Sequence, residues 1–211
     1  MSTKHGTWGM NYSPTFLRLA EAAAARATAD FGNPHRGKEV GRDGRVLTYS
    51  EHAAEAIIMS VATLEAGINE IAVWFRHGFA GPTPSLPDDF MEHRLTDKWT
   101  LVPRTLAGKE FDRGAAPWQD FSALVGLRDS LVHFKWDHEA VPKFMRTLQA
   151  KDLVLPENPA IYWVDGALTN RTASWSVETA VQMFNKLAEL MGRLNDDNWT
   201  WPRIIAQDSA A

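Results

Sequence analysis

The periodicity of residues 50–77 constrains this chain more than any other feature. Ile57, Val61, Leu64, Ile68, Ile71 and Phe75 recur at spacings of three and four, so one long helix presents them on a single face. Thr48 followed by Glu51 has the form of a capping box at its start. A helix of that length with so continuous an apolar stripe needs other helices to cover it. The rest of the chain supplies them. Ser13-Pro14 reads as N-cap and first helical residue of an alanine-rich helix over 13–29, which Gly32-Asn33-Pro34 stops. Short helices are expected at 87–95 and 96–106, a longer one at 117–136, and another at 139–149. A final helix over 174–194 carries Val177, Val181, Phe184, Leu187 and Met191 on one face. Residues 32–45 are rich in glycine and basic side chains without periodicity, the composition of a surface loop, and 202–211 reads as a loose tail. Ile161-Tyr162-Trp163-Val164 reads as a short strand or packed loop. With no internal repeat or low-complexity linker, the expectation is one domain over 1–211, an antiparallel all-α bundle.

Composition narrows the function. The net charge of −4 argues against a broad phosphate-binding surface, because non-specific nucleic-acid affinity comes from many Lys and Arg contacts; a small local site stays compatible with it. The absence of cysteine excludes disulfides, thiolate catalysis and cysteine-ligated zinc. Nine tryptophans in 211 residues are read chiefly as core and interface anchors rather than stacking platforms for bases. Residues 1–11 lack the basic and apolar segments of a signal peptide, and no uninterrupted apolar run approaches the ~18 residues of a membrane span. A cytoplasmic protein without membrane contact is therefore expected, and the Asn170-Arg171-Thr172 and Asn198-Trp199-Thr200 glycosylation patterns carry no weight.

The chemistry concentrates in Leu127-Arg128-Asp129-Ser130-Leu131-Val132-His133-Phe134. Here an arginine, a carboxylate and a histidine interrupt an apolar helix, and such groups are costly to bury unpaired. The stripe Phe121, Leu124, Val125, Arg128, Leu131 and Val132 places Arg128 on the apolar face, with Leu127 and Phe134 extending apolar surface around the other side. Asp129 and His133 stand one turn apart, where the carboxylate would orient the imidazole and favour its charged form. Arg128 and His133 are about 140° apart around the axis, so two such helices related by a two-fold axis would form a better phosphate cleft than one.

This stretch resembles the Arg-x4–6-His signature of HEPN domains, the "higher eukaryotes and prokaryotes nucleotide-binding" group. Glu65 and Asn69 on the long helix, and Trp118-Gln119-Asp120-Phe121 leading into the signature, are similar to uncharacterised bacterial relatives of that group. The resemblance spans roughly residues 50–136. It implies an all-α bundle that dimerises through the 117–136 helix, and a metal-independent ribonuclease of toxin or phage-defence type. Under it, Arg128 would stabilise the pentavalent phosphate and His133 would act as general acid or base for attack by the ribose 2′-hydroxyl. Asp129 would position them, at a place where asparagine is common. An antitoxin or other neighbouring-gene partner is a further implied possibility, and no cofactor is. The alternative is a non-catalytic HEPN-like dimeric interaction or nucleotide-binding module.

Other signals are weaker. Arg45 and His52 also fit the bare pattern, but they straddle a loop and a helix start. Gly32-Asn33-Pro34-His35-Arg36-Gly37-Lys38-Glu39 nearly spells a P-loop, yet Glu39 replaces the magnesium-binding hydroxyl and the preceding segment reads as helix. Arg36, Lys38, Arg42 and Arg45 form at most a basic lip that could guide RNA. Glu65, if buried, needs a partner, and Arg128 is the expected one, with Asn69 beside it. His133, Asp137 and His138 lack a metal-ligand spacing, and no metal site is expected.

Overall fold

Glu51–Arg76 winds into one helix, α2, and buries the expected Ile57, Val61, Leu64, Ile68, Ile71 and Phe75. The computed structural model describes residues 12–32, 38–40, 46–48, 51–76, 85–132, 143–153 and 168–192, with backbone alone at 31–32, 38–40, 46–48 and 143. Ahead of α2 come α1 (Ser13–Gly32) and two three-residue strands, β1 (Lys38–Val40) and β2 (Val46–Thr48). After it come a 3-10 turn at Phe90–Glu92, then α3 (Leu95–Ala107), α4 (Trp118–Val132), α5 (Lys143–Ala150) and α6 (Asn170–Leu190). The architecture is an all-α bundle. The strands pair antiparallel, Lys38 with Thr48 and Val40 with Val46, so the stretch read as a featureless loop at 32–45 carries a short ribbon.

α1 and α2 run antiparallel. Ser13 meets Glu70 at one end, and Arg26 and Asp30 meet Glu55 and His52 at the other. The start of α1 is capped from a distance: Glu70 Oε1 accepts from the Tyr12 and Ser13 backbone N–H groups at 2.7 and 3.2 Å, and Oε2 accepts from the Ser13 hydroxyl at 2.6 Å. These are helix-start donors that lack an intrahelical partner. α6 lies against both helices, close enough to α2 for the Ser60 and Ser176 hydroxyls to meet at 3.2 Å in the interior. That close approach corrects the face expected of α6. Its buried side is Thr172, Ala173, Ser176, Thr179, Ala180, Met183, Phe184 and Leu187, with Val177 and Val181 at the edge. Thr169 caps α6, its hydroxyl accepting from Thr172 N–H at 3.1 Å, so the helix begins four residues before the expected Ser174. Gly192, at φ +66°, lies just past its end, which falls at Leu190 rather than 194.

α3 inserts Trp99 into the centre of this frame. Its ring lies 5.1 Å from Phe184, 5.8 Å from Phe121 and 6.0 Å from Phe111, and Trp118 joins through Phe111 and Phe121. Each such ring, fully buried, contributes about 1.5–3 kcal/mol of transfer free energy. Trp99 and Trp118 are thus core anchors, the role expected of most of the tryptophans. α4 starts behind Pro117, whose carbonyl accepts from Phe121 N–H at 2.9 Å. α5 returns antiparallel to α4: Lys151 Nζ lies 3.1 Å from buried Asp120, and Gly126 faces Phe144. By length and composition α2 could cross a bilayer, but 56% of its apolar window is buried in the bundle, as in a core helix. Glu55, Glu65 and Glu70 interrupt it, which is why no unbroken apolar run shows in the sequence.

Candidate functional site at the end of α4

Arg128 stands near the C-terminal end of α4. The core seam of that helix runs through Trp118, Asp120, Phe121, Ala123, Leu124 and Leu127. This corrects the expected stripe by one position. Leu127 is fully buried, while Val125, Arg128 and Leu131 lie at the boundary and Val132 is 51% exposed. A boundary position suits an arginine, whose stem can cover apolar surface while its head stays within reach of water. The Arg128 side chain is 23% exposed, yet its Nε is buried and has no hydrogen-bond partner among the described residues. Asp129 Oδ1 lies 3.3 Å from that Nε, close enough for an ion pair but without hydrogen-bond alignment. The misalignment follows from helical geometry: consecutive residues point about 100° apart, so neighbours do not face each other. Ser130 turns back to donate to the Gly126 carbonyl at 3.0 Å.

A guanidinium has five N–H donors in a planar fork that matches two oxygens of a carboxylate or phosphate. Arg128 has one side-on carboxylate and nothing bidentate among the described residues. The Nε edge of this guanidinium therefore holds a donor without an aligned acceptor among the described residues.

The other expected site residues distribute as follows. His133, Arg36, Arg42 and Arg45 lie outside the described residues, as do Asp137 and His138. Lys38 is placed by its backbone in β1. Glu65 is exposed and forms no ion pair with Arg128 among the described residues, which removes the expected buried pair. Asn69 is half-buried, and its Oδ1 is buried without a donor among the described residues. Among the described residues no group of three or more His, Asp or Glu side chains is placed to hold a metal.

Sequence reasoning missed a second polar cluster, at the α1–α2 joint. Arg26 Nη2 donates to Glu55 Oε2 at 2.7 Å. His52 Nδ1 lies 3.3 Å from the same oxygen and 3.4 Å from Arg26 Nε, and its Nε2 is 3.9 Å from Asp30. The Arg26 hydrogen bond holds the Glu55 carboxyl below its ordinary value, partial burial opposes this, and His52 adds to the lowering. His52, noted for its spacing from Arg45, thus works in the joint of a helical hairpin. No local pattern could have announced a contact between Arg26 and Glu55, because it depends on how two helices pair. Lys98, also unexpected, is buried with its ammonium 5.8 Å from the Phe90 ring centroid, a cation–π contact that ties the 3-10 turn to α3.

Comparison with protein-family models, with curated proteins and with solved structures finds no match to this chain.

Proposed function

We propose that the chain is a HEPN-like, metal-independent endoribonuclease of the toxin or phage-defence type, working as a homodimer through α4. The observation that carries the reading is the buried Nε of Arg128, at the boundary of α4, which has an adjacent carboxylate but no hydrogen-bond partner among the described residues. A buried donor left without an aligned acceptor is costly, and a phosphodiester supplies aligned acceptors. In this reading the ribose 2′-hydroxyl attacks the adjacent phosphorus with His133 as general acid or base. Arg128 stabilises the pentavalent phosphate, the proton lost by the 2′-hydroxyl is balanced by one that the departing 5′-oxygen takes from His133 or water, and a 2′,3′-cyclic phosphate remains. Asp129 stands beside the guanidinium within ion-pair distance. Metal independence comes from the resemblance of the signature. A second reading, a dimeric interaction module without catalysis, draws on Val132, which extends the apolar surface of α4 into solvent beside Arg128.

The test is incubation of wild type and His133→Ala with a mixed RNA pool in excess EDTA, followed by mapping of fragment ends. Cleavage by the wild type alone, leaving cyclic phosphates, is the expected result. Equal cleavage by His133→Ala removes the histidine's role, and loss of wild-type cleavage in EDTA removes the metal-independent chemistry. Absence of cleavage, with both proteins dimeric, favours the interaction module.

A further inference from the structure

We infer that Asp129 is a built-in competitor at the Arg128 site, a carboxylate that occupies the guanidinium's Nε edge until an anion displaces it. The inference rests on the reading of Arg128 as an anion site and specifies how tightly that site binds. Three observations carry it. First, Asp129 is the only carboxylate within ion-pair distance of Arg128 among the described residues, at 3.3 Å, and it approaches the same Nε that a bidentate phosphate would use. Second, the contact lacks hydrogen-bond alignment, so it neutralises charge without satisfying the donor. It is therefore a partner that can be displaced. Third, the Asp129 side chain is 51% exposed against 23% for Arg128, so the carboxylate can turn into water when another anion takes its place.

The consequence is a threshold. Because the carboxylate is tethered one residue away, its effective concentration at the guanidinium is high. A lone phosphate must displace it and also meet its negative charge. A longer strand, with contacts elsewhere, can offset both. Asp129 thus acts as a specificity-determining residue that disfavours small free anions relative to a polynucleotide.

The experiment compares wild type, Asp129→Asn, Arg128→Gln and the double variant, as the full chain at low salt. Two probes are used: inorganic phosphate, and a short fully 2′-deoxy oligonucleotide, which lacks the attacking hydroxyl. Asp129 is 51% exposed and asparagine matches its shape, so the single variant is expected to fold, and an unchanged or raised thermal midpoint checks it. Asp129→Asn is expected to bind phosphate roughly tenfold more tightly than wild type, a difference of about 1.4 kcal/mol. The gain should be smaller for the oligonucleotide, shrink as salt screens the charges, and vanish in the double variant. Equal binding by wild type and Asp129→Asn, with both losing it on Arg128→Gln, overturns the inference and leaves the anion site standing. Weaker binding by Asp129→Asn also overturns it, by making the carboxylate a supporting group. Binding that ignores Arg128 in every variant overturns both the inference and the site.

Discussion

Gly126 on α4 offers a test of how the site-bearing helix is held. A Cβ at this position would lie 2.9 Å from Phe144 Cδ1 and 3.4 Å from Phe144 Cβ and Cγ. Two effects oppose each other in Gly126→Ala. Within a helix, alanine is favoured over glycine by about 0.8–1.0 kcal/mol. Against that, a 2.9 Å approach is closer than real carbon contacts allow, and forcing an extra methyl into a packed contact costs typically about 1–3 kcal/mol. Phe144 Cβ and Cγ are in ordinary contact, so the clash falls on Cδ1, whose ring is packed against the core and can swing away only by disturbing that packing. The clash should win, leaving the variant less stable by roughly 1 kcal/mol. Urea unfolding followed by far-UV circular dichroism reads this as a lower midpoint at unchanged slope. A double-mutant cycle with Phe144→Ala then isolates the contact, because with the ring gone Gly126→Ala should become stabilising by close to the propensity difference. If Gly126→Ala stabilises the otherwise native protein by about 0.9 kcal/mol, α5 does not press on α4 at this point, and the Gly126–Phe144 packing is wrong.

Two further outcomes follow from the α1–α2 joint. Glu70→Ala removes the acceptor for the Tyr12 and Ser13 N–H groups and should cost about 1–2 kcal/mol, as loss of a helix cap does, read in the same urea assay; Glu70→Gln, which keeps one acceptor oxygen, should recover part of it. Glu55 bears on pH. Its folded carboxyl is held below the ordinary value, mainly by Arg26, so its contribution is present above the unfolded value and lost as pH falls through the folded one. Urea midpoints of wild type and Glu55→Gln should differ near neutrality and converge in acid. Because the group is 38% exposed the difference should be small, and a gap that widens on acidification refutes the assignment.

The sequence announced what is written in period and in local chemistry. The large apolar side chains of the α2 core face, Ile57, Val61, Leu64, Ile68, Ile71 and Phe75, follow from spacing. It misplaced what depends on neighbours. On α4 an apolar stripe that includes Arg128 and one that includes Leu127 differ by a rotation of about 100°, and only the positions of α2, α5 and α6 choose between them. On α6 the apolar periodicity pointed to Val177 and Val181, whereas a close helix crossing favours small side chains, and so Ala173, Ser176 and Ala180 went inside. The ribbon was missed because three-residue strands show too few alternations to register as period two. Within the site, Arg128 and Asp129 were legible as charges on an apolar helix. Glu65 was not, since its exposure is set by which arc of α2 the other helices leave uncovered.

The long-range polar contacts share a position that bears on where this chain can vary. Arg26, Asp30, His52 and Glu55 close the gap between the end of α1 and the start of α2, across the segment that carries the ribbon. A second clasp joins the end of α5 to the start of α6. The Leu153 carbonyl accepts from the Thr169 and Thr172 hydroxyls at 3.2 and 3.0 Å, and Arg171 pairs with Asp152, which holds a positive φ of 54°. Leu153 and Leu168 are both buried beside it. The end of α5 and the start of α6 are therefore held together at one place. Once the two feet of a connection are fixed by the bundle, doubling its length costs only about 0.6 kcal/mol in closure entropy. The two clasps thus fix the feet of the connections between α1 and α2 and between α5 and α6, whereas the pairing of α4 with α5 is set by Asp120 with Lys151 and by Gly126 against Phe144. Arg128 therefore stands on a helix whose register against α5 is set by packing, and changes of length are cheapest where only the feet of a connection are held.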